Sequence, residues 1–199
     1  MSPSYEILHA CPACGGRALH RVADRTNVQH QVEALWAFHT RRVEGGTPPR
    51  RLTDRSAFSQ RPPLAIVACA GCGTLLRNPR EDAETLRDVY ADDDPDAATL
   101  AALLAVQRPT YVAQAKRLTR VLGRTGTVLE VGCYVGGFLD AAQAHGWEAH
   151  GIDVNGAAVT LAQERGLAAS VGDIRDIDDA RRYDAVVFWN VFEQLDDPT

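Results

Sequence analysis

Thr127-Val128-Leu129-Glu130-Val131-Gly132-Cys133-Tyr134-Val135-Gly136-Gly137-Phe138-Leu139 reads as a strand, a tight turn and the start of a helix. Glycine lets backbone approach a ligand closely. A helix start offers unpaired N–H groups to a carboxylate or a phosphate. A parallel sheet also needs tight turns for packing alone, so this turn says more about the fold than about a ligand.

The residues that follow repeat the pattern. Glu148 to Val154 reads as a strand, Gly156 to Arg165 as a helix and Ala168 to Val171 as a strand. Tyr183 to Trp189 is a further strand with a nearly continuous apolar run. Strands alternating with helices predict an α/β fold, a parallel sheet with helices on both faces. Open sheets of this kind bind ligands at the carboxyl ends of their strands. Glu130, Asp153 and Asp173 stand at the ends of the first three strands, and Asn190 ends the fourth. Asp153 lies 23 residues after Glu130, near the offset of about 20 residues expected of an acid that accepts hydrogen bonds from ribose hydroxyls. Upstream, two helical stretches over 96–107 and 110–123 are separated by Pro109 and ended by Gly123. Glu81 to Tyr90 is a helix with acids at its start, and Asp92-Asp93-Asp94-Pro95 is a linker turn.

Four of the five cysteines form two tight pairs, Cys11-Pro12-Ala13-Cys14-Gly15-Gly16 and Cys69-Ala70-Gly71-Cys72-Gly73. Two residues between thiols let both sulfurs reach one tetrahedral metal, and the following glycine lets the backbone turn beneath it. The matched spacing predicts a closed, structural zinc site on Cys11, Cys14, Cys69 and Cys72, with no open position for catalysis. Four free thiols, or disulfides in an oxidising compartment, are the alternatives. The pairs are 54 residues apart, against about 15–20 in compact zinc sites. An insertion with an amphipathic helix over 28–43 and a Gly45-Gly46-Thr47-Pro48-Pro49 break therefore separates them.

Composition bounds the rest. The chain has 199 residues, 45% hydrophobic and 24% charged, with a net charge of -5. No run of about 18 apolar residues is present, which argues against a membrane span. The first residues lack the pattern of a secretory signal, so a reducing cytoplasm is expected. Up to Arg80 there are 11 arginines against 5 acids, and from Glu81 onward 10 basic residues against 21 acids. Such a break marks two domains with different surfaces. The arginines are scattered with few aromatics between them, which favours a solvated surface over a nucleic-acid contact.

Residues 110 to 199 resemble class I S-adenosylmethionine (SAM)-dependent methyltransferases. The acid and alternating glycines of that family's first motif match Glu130, Gly132 and Gly136, its ribose-binding acid matches Asp153, and its Gly-Asp after the third strand matches Gly172-Asp173. The resemblance implies that Asp173 meets the adenine amino group, that Ile174 packs on the ring, and that Asn190 also contacts the cofactor. Tyr134 replaces the family's middle glycine, which implies crowding of the cofactor or a different backbone path. The two Cys-x-x-Cys-Gly segments, the second running into Thr74-Leu75-Leu76-Arg77-Asn78-Pro79-Arg80, resemble a bacterial subgroup in which a zinc-binding segment precedes the SAM domain and whose members include sugar and small-metabolite methyltransferases. The expected architecture is a four-cysteine zinc ribbon over 1–80, helices over 81–125, and the first four strands of a Rossmann-like, doubly wound sheet over 126–199. The expected function is methyl transfer from SAM to a small-molecule acceptor, with no general base yet identifiable. The family sheet has seven strands, so the chain reads as a fragment. Two other readings are an NAD-linked Rossmann oxidoreductase, which lacks its GxGxxG order here, and a non-catalytic zinc-ribbon binding module.

Overall fold

Every described strand after residue 126 is short and followed by a turn, and together they assemble one parallel sheet. The structure, a computed structural model, describes residues 4–24, 26–27, 65–91, 97–177, 181–192 and 195. The helix read over 28–43, the break at 45–49 and the turn at 92–95 lie outside the described residues. The chain divides into two compact units at Ala83/Glu84.

The first unit is small and antiparallel. β1 (Tyr5–Glu6) pairs with β5 (Arg80–Glu81). β2 (Leu19–Asp24), β3 (Ala65–Cys69) and β4 (Leu75–Arg77) form a three-stranded sheet in that order. β3 alternates buried and half-buried residues, the period-2 signature of a strand with one face inward. The amide of Asn78 closes both ends of a backbone pair, its Nδ2 donating to the Leu8 carbonyl and its Oδ1 accepting from the Leu8 N–H, each at 2.9 Å.

The second unit holds α1 (Ala83–Ala91), α2 (Ala97–Leu122), β6 (Thr127–Val131), α3 (Gly137–Gln143), β7 (Glu148–Asp153), α4 (Gly156–Glu164), β8 (Ala168–Val171), a 3₁₀ turn (Ile174–Asp176) and β9 (Ala185–Phe188). The sheet order is β8-β7-β6-β9, with all neighbours parallel. The chain winds outward from β6 to β8 and returns to the far side of β6, so the topological switch lies between β6 and β9. Val128, Ala149, Ala169 and Val187 point to one face and pack with Ala115 of α2, Phe138 and Leu139 of α3, and Val159 and Ala162 of α4. On the opposite face, Leu129, Val131 and Ile152 are covered by Ile177, Tyr183, Phe188 and Val191. Among the described residues that cover is not helical.

The expected break at Pro109 does not occur: α2 is one helix with the proline inside it. Arg108, Pro109 and Thr110 are exposed, so the carbonyl that loses its intrahelical partner can turn to water. Leu100 and Leu104 before the proline, and Tyr111, Ala115 and Leu118 after it, face the core. Burial on both sides carries the helix through the defect.

Candidate functional site

The turn after β6 is set by three left-handed residues, Gly132 at φ 75°, Tyr134 at φ 47° and Gly136 at φ 76°. Only glycine takes this conformation without cost, and Tyr134 takes it nonetheless. Two contacts hold it there. Its N–H donates to Asp153 Oδ2 at 2.7 Å, and its side chain packs against a cluster of Leu100, Val135 and Ala158, with Leu104 and Leu161 alongside. The ring lies among residues of α2 and α4.

Asp153 organises the rim. Its Oδ1 accepts from the Asn155 N–H at 2.9 Å, and its own carbonyl accepts from Gly172 N–H at 2.9 Å. One residue at the end of β7 thus ties the turn after β6 to the turn after β8. Gly132 and Gly136 both serve packing. A Cβ on Gly132 would meet Val191 Cγ2 at 2.2 Å, and one on Gly136 would meet Leu167 Cδ1 at 2.4 Å. Gly151 makes room for Cys133 in the same way, with Cβ and Sγ both 2.6 Å from an added Cβ.

Glu130 differs from every other acid of the unit. It is 2% exposed, and its Oε2 is buried with no hydrogen-bond partner. Burial first, and the charge of Asp153 second, push its carboxyl well above the usual range. The same carboxyl adds to the burial that raises the Tyr111 phenol to about 12, so Tyr111 of α2, Glu130 and Asp153 share one neighbourhood. A buried polar atom left unpaired costs about 1–3 kcal/mol, and a buried carboxyl with such a shift is a candidate site residue.

Asp173 stands at the end of β8 but is already engaged. Its carboxylate caps the 3₁₀ turn, accepting from the Arg175 N–H at 2.7 Å, and pairs with the Arg175 guanidinium and with Arg87 of α1 at 3.3 Å. The Arg175 hydrogen bond, ahead of all other causes, holds it down to about 2. Ile174 is 36% exposed beside it. Asn190 follows β9, exposed, at φ 57°. Glu130 and Gly132 stand at the end of β6, with Asn190 across the switch point after β9 on one side and Asp153, then Asp173 and Ile174, along the rim on the other. Sequence reasoning missed Tyr111, Trp189, Arg87 and Arg175. Arg175, two residues from Asp173, was the one with a readable signal.

In the first unit the four cysteines of the two knuckles converge. All four Sγ atoms lie within 4.8 Å of one another, with Cys11–Cys72 at 3.7 Å and Cys14–Cys69 at 3.6 Å. Four sulfurs at tetrahedral zinc bond lengths of about 2.3 Å sit about 3.8 Å apart, so the set fits that ion without rearrangement. Gly15 at φ 70° and Gly73 at φ 77° turn the chain beneath each pair, and a Cβ on Gly16 would press on Cys14 and Cys69 Sγ at 3.2 and 3.3 Å. The Thr74 hydroxyl, then its amide, bring the Cys72 thiol down to about 6. None of the five cysteines is in a disulfide. No described helix is long and apolar enough to cross a membrane.

Residues 105–199 match a protein-family model described as a methyltransferase domain. No curated protein matches the chain. Among solved structures, the plantazolicin methyltransferase BpumL in complex with SAH is 20% identical over 57% of this chain and 48% of its own, with a TM-score of 0.46. CalS10, an amino pentose methyltransferase from Micromonospora echinaspora, is 22% identical over 52% and 49%, at 0.41. The sugar N-methyltransferase KedS8 from Streptoalloteichus sp. is 23% identical over 50% and 42%, at 0.40. The chain spans about half the length of these proteins or less.

Proposed function

We propose that this chain, whose residues 105–199 match the model of a methyltransferase domain, binds S-adenosylmethionine at the carboxyl ends of β6, β7 and β8 and serves methyl transfer to a small-molecule acceptor. The observation that carries the reading is Glu130, a fully buried carboxyl with an unpartnered oxygen at the topological switch of a parallel sheet. A carboxyl so placed suits a cationic or N–H-bearing ligand group, and the switch point is where such sheets hold nucleosides. SAM, when bound, supplies a methyl on a sulfonium that a nucleophile attacks in line. The protein's part is positioning and exclusion of water. Gly132 and Gly136 shape the turn, Asp153 at the end of β7 stands where ribose hydroxyls are held in such sheets, and Ile174 offers its exposed side chain to the adenine. Asp173 takes the adenine amino group by sharing an oxygen with Arg175, and Asn190 closes the rim after β9. The acceptor class rests on the resemblance of the Cys-x-x-Cys-Gly segments to the subgroup with sugar and metabolite substrates.

Cys11, Cys14, Cys69 and Cys72 hold a structural zinc in this reading, supported by their sulfur spacing. Reduced thiols of this kind suit a reducing compartment such as the cytoplasm. Isothermal titration of the full-length protein with SAM, with NAD as control, tests the proposal. Saturable binding of SAM and none of NAD is expected. No heat at millimolar SAM overturns it.

A further inference from the structure

The face of the sheet that carries Glu130 ends in a second buried group without a partner. Trp189 continues the inward row of β9 after Ala185 and Val187 and packs against the same core. Val187 is the register partner of Glu130, so the indole is the diagonal neighbour of the carboxyl across the switch point. Phe138 lies between the helices and this corner. Its ring centroid is 5.4 Å from that of Trp189 and 6.5 Å from that of Tyr111. Trp189 Nε1 is buried and has no hydrogen-bond partner, like Glu130 Oε2.

Proteins rarely leave such atoms unpaired. The two are of opposite kind. The indole N–H only donates, and the Glu130 carboxyl, which releases its proton to solvent when a cation binds beside it, then only accepts. A purely anionic or purely cationic ligand group would satisfy one of them. A group with an ammonium beside a carboxylate satisfies both. We propose that Trp189 is a binding residue for an α-amino-acid group, its Nε1–H donating to the ligand carboxylate while Glu130 Oε2 accepts from the ligand ammonium. The proposal rests on the SAM reading above, because the methionyl end of SAM carries such a group. The competing occupant is an ordered water that bridges the two atoms.

Three probes on the full-length protein separate these cases: SAM, its decarboxylated form, which keeps the ammonium and lacks the carboxylate, and 5′-methylthioadenosine, which lacks the whole amino-acid end. Trp189→Phe keeps a ring against Phe138 and removes the donor. It should weaken SAM about tenfold, the loss of one charge-assisted hydrogen bond, and leave the other two probes unchanged. Glu130→Gln should weaken SAM and its decarboxylated form alike and spare methylthioadenosine. If Trp189→Phe leaves SAM affinity unchanged, or lowers all three equally, the indole N–H is satisfied by water or packing and the inference fails while SAM binding stands. Absence of wild-type binding to any probe overturns both readings.

Discussion

Glu130 couples the site to pH. Its carboxyl is raised by burial and by Asp153, so the native state holds a proton that the unfolded chain would release near 4.5. The sign follows from linkage: stability is highest below the unfolded value and falls as pH rises through the folded one. Glu130→Gln removes that dependence. Thermal melts of the unliganded protein should show the variant above wild type at about pH 8 and level with it at about pH 4. Parallel curves across that range would contradict the buried, unpaired state of the carboxyl. Asp173 has the opposite sign: its arginine partners lower it from 3.8 to about 2, so its contribution is present above 3.8 and lost as pH falls towards 2. Tyr134 carries a third residue-scale test. Glycine there would relieve a left-handed cost of about 1–2 kcal/mol and forfeit aromatic burial worth about 1.5–3 kcal/mol. Tyr134→Gly is therefore expected to be neutral to mildly destabilising in urea titrations, and a loss above about 3 kcal/mol would show that the phenol ring does more than fill the gap by α2 and α4.

At the scale of elements, β6, β7 and β8 and their turns were legible because each ends in or runs into a glycine or an acid that the topology needs. Gly132 and Gly136 take the left-handed turn, and Asp153 ties it. What sequence could not show was tertiary override. Pro109 reads as a helix break by local chemistry, yet α2 runs through it because both halves bury one face. Asp173 reads as a free rim acid, yet Arg87, 86 residues away in sequence, reaches it from α1. If the proline is tolerated only by burial, Pro109→Ala should restore an intrahelical bond and stabilise the protein by about 1–3 kcal/mol. An unchanged denaturation midpoint would mean that the proline costs the helix nothing at that point. The other end of the sheet is held by Asp184, which accepts from the Thr127 N–H at 2.8 Å, from its hydroxyl at 3.1 Å and from Arg124. Among the described residues β9 is an edge strand, with Val186 48% exposed, and this clasp anchors it. Asp184→Ala should raise amide exchange in Ala185–Phe188 well before it does so in Thr127–Val131.

At the scale of the molecule, the charge break read at Arg80 and the division at Ala83/Glu84 fall on the same stretch of chain, and the two units have unequal means of holding together. The second buries Phe138, Leu139, Val128, Trp147 and Val159 in one cluster. Among the described residues of the first, the buried side chains are Cys11, Ala65, Val67, Cys69 and Glu81. Two of its four buried apolar residues are themselves thiols of the cluster. The described part of that core offsets little of the entropy of ordering β2, β3 and β4, and four thiols at mutual contact cannot all ionise without a cation among them. The first unit should therefore depend on metal for its fold. Elemental analysis of the purified protein is expected to give one zinc per chain. After chelation at neutral pH, hydrogen exchange should lose protection in β2, β3 and β4 while β6 to β9 keep theirs, and zinc affinity should weaken as pH falls because each bound thiolate displaces a proton. Protection that survives in β3 after the metal is gone would mean that the antiparallel sheet holds by hydrogen bonds and packing alone, and that the four sulfurs meet for a reason other than zinc.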